Sequence, residues 1–362
     1  MRFIELPAER LCRAKSAYTV RHVRVESLAA VLSGDYSPKA GDLVLARVDR
    51  LGHHKRLELA DGRKALLFPG DEIVLAYANR YAPNQFEAFV PGDLGPCDLV
   101  AAGGVAARVS CRRSGISEPT KLIPIGVLAD REGSPLNLMS WRLTEPVPST
   151  NRPTAFAVVG TSMDSGKTTA AAGLIRGLVN AGLSVGAAKV TGTGAGGDLW
   201  MFADAGASQV LDFTHAGYAS TYRCSHEEVK GIFKALTGHL AMAGVDVMVV
   251  EVADGVFQDE TAALLQDPMF GEHIDATLFA SGDALGAVAG VAHLNAIGIE
   301  PAAVTGLLTA SPLAAREARR ALGGTLVIDA AELAHSRVAE QLLGMVLPDR
   351  RPSDLSDFVR SA

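Results

Sequence analysis

The stretch Ala155-Phe156-Ala157-Val158-Val159-Gly160-Thr161-Ser162-Met163-Asp164-Ser165-Gly166-Lys167-Thr168-Thr169 decides how this chain is read. Its first five residues are apolar and unpunctuated, the pattern of a strand buried on both faces. From Thr168 onward the residues favour a helix, with Leu174, Ile175, Leu178 and Val179 on one face and Gly182 as a stop. A buried strand, a glycine-bounded loop, Gly-Lys-Thr and a helix together make a loop that holds phosphate. Backbone N–H groups and the helix N-terminus cradle the phosphates of a nucleotide, Lys167 reaches the outer ones, and the Thr168 hydroxyl ligates magnesium. The candidate nucleotide-binding residues are Gly160, Thr161, Ser162, Met163, Asp164, Ser165, Gly166, Lys167, Thr168 and Thr169. Five residues separate Gly160 from Gly166, one more than the common spacing of such loops.

Downstream of the loop, strand-like runs alternate with helical ones: 184–189, 245–251, 276–280, 302–308 and 325–328 against helices over 225–242, 284–297, 312–322 and 331–343. In the first of these helices Ser225 and Glu228 form a capping-box pair, and Val229, Ile232, Phe233, Leu236 and Leu240 share a face. The alternation predicts an α/β domain over 154–345: a P-loop, doubly wound, mostly parallel sheet whose ligands gather at the carboxyl ends of the strands.

Upstream the text reads as β structure. Strand candidates lie at 42–48, 72–77, 105–109 and 121–128, and the runs 56–60 and 63–67 flank Asp61-Gly62, a hairpin signal. Short strands with frequent turns predict a smaller all-β domain, barrel or sandwich, over 1–143. A polar, proline-rich linker over 144–153 and a polar tail over 346–362 complete the expected organisation.

Composition narrows the function classes. Of the 362 residues 48% are hydrophobic and 20% charged, ample for two cores, and the net charge of −6 comes without a Lys/Arg block, which argues against nucleic acid as a partner. The N-terminus lacks the apolar core of a signal peptide and no stretch is apolar enough to span a bilayer, so a cytoplasmic protein without a membrane partner is expected. Cys12, Cys97, Cys111 and Cys224 show no zinc spacing and read as reduced thiols.

Outside the loop, several residues could carry chemistry. Glu251 ends a buried strand, where an acid holds magnesium directly or through water. Lys189 ends another and is followed by Thr191 and Gly192, which reads as a phosphate or substrate contact or as a flexible loop. Gly192, Gly194 and Gly197 also satisfy a dinucleotide-type pattern, but they do not open the first βα unit, and no clear amphipathic helix follows them. Asp254, with Gln258, Asp259, Glu260 and Thr261 after it, makes an acidic loop suited to a second metal or to a cationic amino group of substrate. His215 reads either as a general base or as a core or capping histidine.

Gly-Thr-x-x-x-x-Gly-Lys-Thr resembles the loop of dethiobiotin synthetase and its P-loop relatives, which include the cobyrinic acid amide synthases. It is also similar to the nucleotide-binding half of the DUF1611 family. The resemblance covers about Thr154 to Leu343 and implies an enzyme using ATP and Mg2+ that activates a small carboxylate or carbamate for attack by an amine. In that comparison Lys167 and Lys189 contact phosphate and the reacting carboxylate, and an acid near Asp198 or Asp204 gives a further magnesium contact. Glu251-Val252-Ala253-Asp254-Gly255 matches the family's strand-end motif only at its Glu and last Gly. Thr309-Ala310-Ser311-Pro312 falls where relatives recognise the base, without their asparagine. The DUF1611 likeness implies instead a coenzyme A-dependent N-acyltransferase, and a nucleotide-regulated assembly protein is a third reading. The expected partners are nucleotide and a small molecule, and the expected assembly is a homodimer.

Overall fold

The apolar run ahead of the glycine loop becomes the inner strand of a six-stranded sheet in the computed structural model, which describes residues 1–144, 146 and 152–346. Most of the expected linker and all but residue 346 of the expected tail lie outside the described residues. The sheet comprises β1 (Thr154–Gly160), β2 (Val185–Lys189), β3 (Gln209–Asp212), β4 (Val247–Glu251), β5 (Ala276–Ala280) and β6 (Pro301–Thr305). Its order is β3-β2-β4-β1-β5-β6, and every pair is parallel. All of Ala155 to Gly160 are buried, so both faces of β1 are covered. On one face Phe156 and Val158 join Leu174, Ile175 and Leu178 of the helix α1 (Lys167–Asn180) in a common core. The chain runs from β1 to β2 on one side and from β4 past β1 to β5 on the other, and such a reversal opens a crevice at the carboxyl ends.

The expected capping box forms: Ser225 accepts from the Glu228 N–H, and Glu228 accepts from the Ser225 N–H at the start of the helix His226–Met242. Three expectations need correction. The run 325–328 makes only an isolated bridge, Val304 with Val327. The helix expected over 331–343 is a 3-10 turn, Glu332–Ala334, followed by a helix over Ser336–Val346. A helix α2 (Gly197–Asp204) does follow the glycine run, although its residues carry little amphipathic pattern.

The chain divides into two compact units, and the division is not contiguous. Unit 1 comprises Met1–Thr144, Gly192–Gly197 and Phe213–Cys224; unit 2 comprises Glu145–Thr191, Asp198–Asp212 and Ser225–Ala362. This differs from a simple split between 1–143 and 154–345, because two excursions from the α/β half pack with the β half.

In unit 1 five strands hydrogen-bond in a closed ring: Thr120–Ala129, Leu43–Arg50, Glu72–Tyr77, Val105–Arg112 and Cys97–Ala101, the last pairing back to the first. The closed ring resolves the barrel-or-sandwich alternative as a barrel, and the sheet extends beyond it through Ala30–Ser33 with Arg2–Glu5 on one side and Phe86–Phe89 with Arg80–Tyr81 on the other. The unit is not all-β. It carries the helix Ala8–Arg13 and several 3-10 turns, and the sheet is mixed, with Glu72–Tyr77 parallel to Val105–Arg112. The hairpin at Asp61-Gly62 forms with Arg56 opposite Leu66 and Glu58 opposite Lys64. Among the described residues, no helix is long and apolar enough to cross a membrane.

Candidate nucleotide site

The loop after β1 is shaped by its neighbours. Gly166 has φ +93°, a left-handed conformation that disfavours a side chain, and a Cβ there would lie 2.8 Å from the Leu307 nitrogen. The segments after β4 and β6 brace the loop through Val256 N–H to Gly160 O at 3.0 Å and Leu307 N–H to Ser165 O at 2.9 Å. α1 then begins at Lys167, and its first N–H groups have no intrahelical acceptor, which makes this end a ready anion site.

Lys167 is 5% exposed and donates to the Ser162 carbonyl at 2.7 Å. Burial pulls its pKa below the usual lysine range, against the opposing pull of Glu251. The Thr168 hydroxyl donates to Glu251 Oε1 at 3.2 Å, because β4 lies beside β1 and Val158 stands opposite Glu251 in the register. The same row continues through Lys189 to Asp212. Lys189 Nζ contacts Asp198, in the first turn of α2, and reaches Glu251 Oε1 at 3.3 Å. Burial opposes the charge on Lys189, but Glu251 and Asp198 outweigh it and hold its pKa above the usual lysine range. The Glu251 carboxyl is pushed up by burial despite the two lysines.

Glu251 is 1% exposed, and its Oε2 is buried with no hydrogen-bond partner among the described residues. An orphaned carboxylate oxygen of this kind is costly unless something completes it. Thr168, Glu251 and Asp198 are hard oxygen donors within one connected network, and that donor chemistry fits magnesium. No group of three or more His, Cys, Asp or Glu that could hold a metal by itself occurs among the described residues. Phosphate oxygens would have to complete such a site.

The network brings together Lys167, Thr168, Lys189, Asp198 and Glu251. Asp204 ends α2 six residues after Asp198, roughly 9 Å along the helix, and is exposed. Thr191 donates to the Ala253 carbonyl, as does Thr261, so both pin the loop after β4. Asp254 is half-buried and adds to the field at both lysines. Asp259 is exposed in the first turn of the helix Asp259–Gln266, where a carboxylate complements the helix dipole. Gly192 and His215 fall in unit 1. There the Gly192 N–H donates to Thr221, and His215 packs against His22 at 4.4 Å beside Arg21. Thr309 donates to the Gly306 carbonyl and Ser311 caps the helix Pro312–Leu322, so both hydroxyls are engaged structurally. Asp212, 1% exposed and in register with Lys189, was not singled out from the sequence; an acid ending an apolar strand, the signal that marks Glu251, would have found it.

No family profile matches the sequence, and no curated protein matches it. Among solved structures the chain is similar to the signal recognition particle 54 kDa protein from Aeropyrum pernix K1 in complex with GDP. That match has 19% identity and a TM-score of 0.37, and covers 62% of this chain and 53% of that one. It is also similar to the signal recognition particle receptor FtsY from Elizabethkingia anophelis, at 16% identity and a TM-score of 0.32, covering 56% of this chain and 60% of that one. The same receptor in complex with GDP gives 13%, 0.34, 55% and 67%. The chain thus spans between half and two thirds of these structures' length. The fold is read from the parallel strand order and the glycine loop after β1, not from these likenesses.

Proposed function

We propose that unit 2 is an ATP- and magnesium-dependent site that transfers a phosphoryl group to a small carboxylate or carbamate, which an amine then attacks. The observation that carries the reading is the network Thr168–Glu251–Lys189–Asp198 beside the phosphate loop, with one buried Glu251 oxygen left to be completed. Phosphoryl transfer needs little covalent help from protein. It needs positioning and charge neutralisation, and the loop N–H groups and the two lysines supply both. Lys167 exchanges the Ser162 carbonyl for phosphate oxygen and neutralises the transferred group. Thr168, Glu251 and Asp198 would hold magnesium, which neutralises phosphate charge when bound. Lys189 and Asp254, at the carboxyl end of the sheet, orient the carboxylate and the amine.

The test is calorimetry of the full chain with ATP plus magnesium, GTP, ADP and acetyl-CoA, repeated with Lys167→Ala. Magnesium-dependent ATP binding, weakened roughly 30-fold or more by Lys167→Ala, is expected, since a charged hydrogen-bond donor is lost. Phosphate release that rises when carboxylate and amine are supplied together completes the assignment. Binding of acetyl-CoA without ATP overturns it in favour of an acyltransferase. Slow ATP hydrolysis indifferent to metabolites overturns it in favour of an assembly NTPase.

A further inference from the structure

Lys189 sits on the oxygens that the preceding reading gives to the metal. Its ammonium contacts Asp198 and reaches Glu251 Oε1 at 3.3 Å, and that same oxygen accepts the Thr168 hydroxyl at 3.2 Å. The Lys189 side chain is 12% exposed and Glu251 1%, so water screens that pair poorly, while Asp198 at 33% is partly screened. Lys189 is therefore the lysine in contact with both carboxylates at the point where a divalent cation would bind, while Lys167 adds to the field on Glu251 from a distance. Glu251 Oε2, buried and without a partner among the described residues, shows that the balance is incomplete.

We infer that Lys189 is a resident counter-ion that keeps free divalent metal out of the site and yields its place only when nucleotide arrives. The inference rests on the nucleotide reading above. A metal ion entering alone meets a positive charge already held by its own ligands, and like charges at such separations repel strongly in a poorly screened site. Nucleotide phosphate offers the Lys189 ammonium a new acceptor and leaves Glu251 and Asp198 for the metal. Metal and nucleotide then bind with positive coupling, and by linkage each raises the other's affinity equally. This would keep the site from filling with metal before substrate is present, and would deliver Lys189 to the phosphates at the moment it is needed.

The experiment measures Mn2+ binding to the nucleotide-free full chain by the electron paramagnetic resonance signal of free Mn2+. Lys189→Met and Lys189→Gln are compared with the unsubstituted chain, each checked for folding by its denaturant transition; the glutamine keeps a donor for the carboxylates where the methionine keeps none. Both are expected to bind Mn2+ at least about tenfold more tightly than the unsubstituted chain, within the usual range of coupling between sites. Lys189→Arg, which keeps the charge, should remain weak. Adding Glu251→Gln to Lys189→Gln should abolish the gain. Equal Mn2+ affinity with and without the lysine, tight binding by the arginine variant, or a gain that survives Glu251→Gln would each overturn the counter-ion role. A fluorescent ATP analogue with magnesium is titrated in parallel. If the analogue binds but Mn2+ affinity does not change, the counter-ion falls and the nucleotide site stands; if Mn2+ affinity rises but the analogue does not bind, the nucleotide reading falls.

Discussion

Asp98 in unit 1 and Glu251 in unit 2 are both nearly inaccessible carboxylates facing a lysine, and they are satisfied in opposite ways. Asp98 uses both oxygens: Lys121 donates to one at 2.7 Å and the Val109 N–H to the other at 3.0 Å. Glu251 crowds Thr168 and Lys189 onto one oxygen and leaves the other without a partner among the described residues. A buried charge with both oxygens answered is a fixture of the fold, while one held half-answered costs stability unless something completes it, the place that the proposed site gives to a metal. The same contrast separates the two units: a barrel closed on itself, and a sheet whose carboxyl ends gather charge at one edge.

The widest gap between the two carboxylates should appear in stability. Asp98→Ala leaves the Val109 N–H unanswered and removes the partner of a lysine whose side chain is one third exposed. A loss of about 3 kcal/mol in unfolding free energy is expected, with no change in nucleotide affinity. Denaturant unfolding and the calorimetry described above check the two halves of that statement. A mild Asp98→Ala would erase the distinction.

Glu251→Gln should do the reverse. The amide keeps an acceptor for Thr168 and relieves the buried, half-satisfied charge, so unfolding free energy should move by less than about 1 kcal/mol in either direction. Nucleotide binding in the presence of magnesium should weaken by roughly 1.5–3 kcal/mol, as expected when a charged acceptor is lost. Equal weakening with magnesium and with a chelator would remove Glu251 from the metal and leave it a structural acid.

A third arm uses pH and concerns unit 1. His54 Nε2 donates to the Val100 carbonyl at 3.0 Å and lies 3.2 Å from the Arg80 guanidinium. Burial, with Arg80 and His53 adding positive charge, lowers its pKa from 6.5 to about 3. An unfolded histidine takes up its proton near 6.5 and the folded one near 3, so stability is fully present above 6.5 and falls as pH drops toward 3. The decline should reach at most about 1.4 kcal/mol per pH unit. His54→Gln should flatten it, which urea midpoints at neutral and mildly acid pH would show. Because His54→Gln leaves Asp98 and Glu251 in both chains, the difference between the two slopes reports the burial of His54 itself.

How much of this was legible in the sequence follows from the range of the interactions. The loop, α1, the strands ending in Lys189 and Glu251, and the hairpin at Asp61-Gly62 are written in local patterns, and those patterns were enough. The barrel's closure was not, because Cys97–Ala101 pairs with strands on both of its sides, and short strands carry no mark of their partners. The placement of Gly192 and His215 in unit 1 is likewise set by packing with distant residues: Gly194 takes the Ala219 carbonyl, and Gly103 lies so close to Gly194 that a Cβ would meet its carbonyl oxygen at 2.0 Å. The role of Lys189 was half legible. Its position at a strand end shows in the sequence, while its ion pair with Asp198 depends on α2, whose weak amphipathic pattern hid it.

The smallest effect concerns Ser225, which opens unit 2's last segment directly after the unit 1 segment ending at Cys224. Its hydroxyl accepts from the Glu228 N–H at 3.3 Å, and the Glu228 carboxylate accepts from the Ser225 N–H at 2.7 Å, so two donors at the helix start are answered reciprocally. Ser225→Ala removes one of these bonds and should cost about 1 kcal/mol, whereas Ser225→Asp, which still accepts from the helix N–H groups, should cost less. Ser225 carries no buried charge and touches none of the network around Glu251, so neither variant should alter nucleotide or Mn2+ binding. A change in binding from Ser225→Ala would mean that the helix start tunes the site, and the separation of structural from ligand-reserved polar groups drawn from Asp98 and Glu251 would then have to be redrawn around the capping box as well.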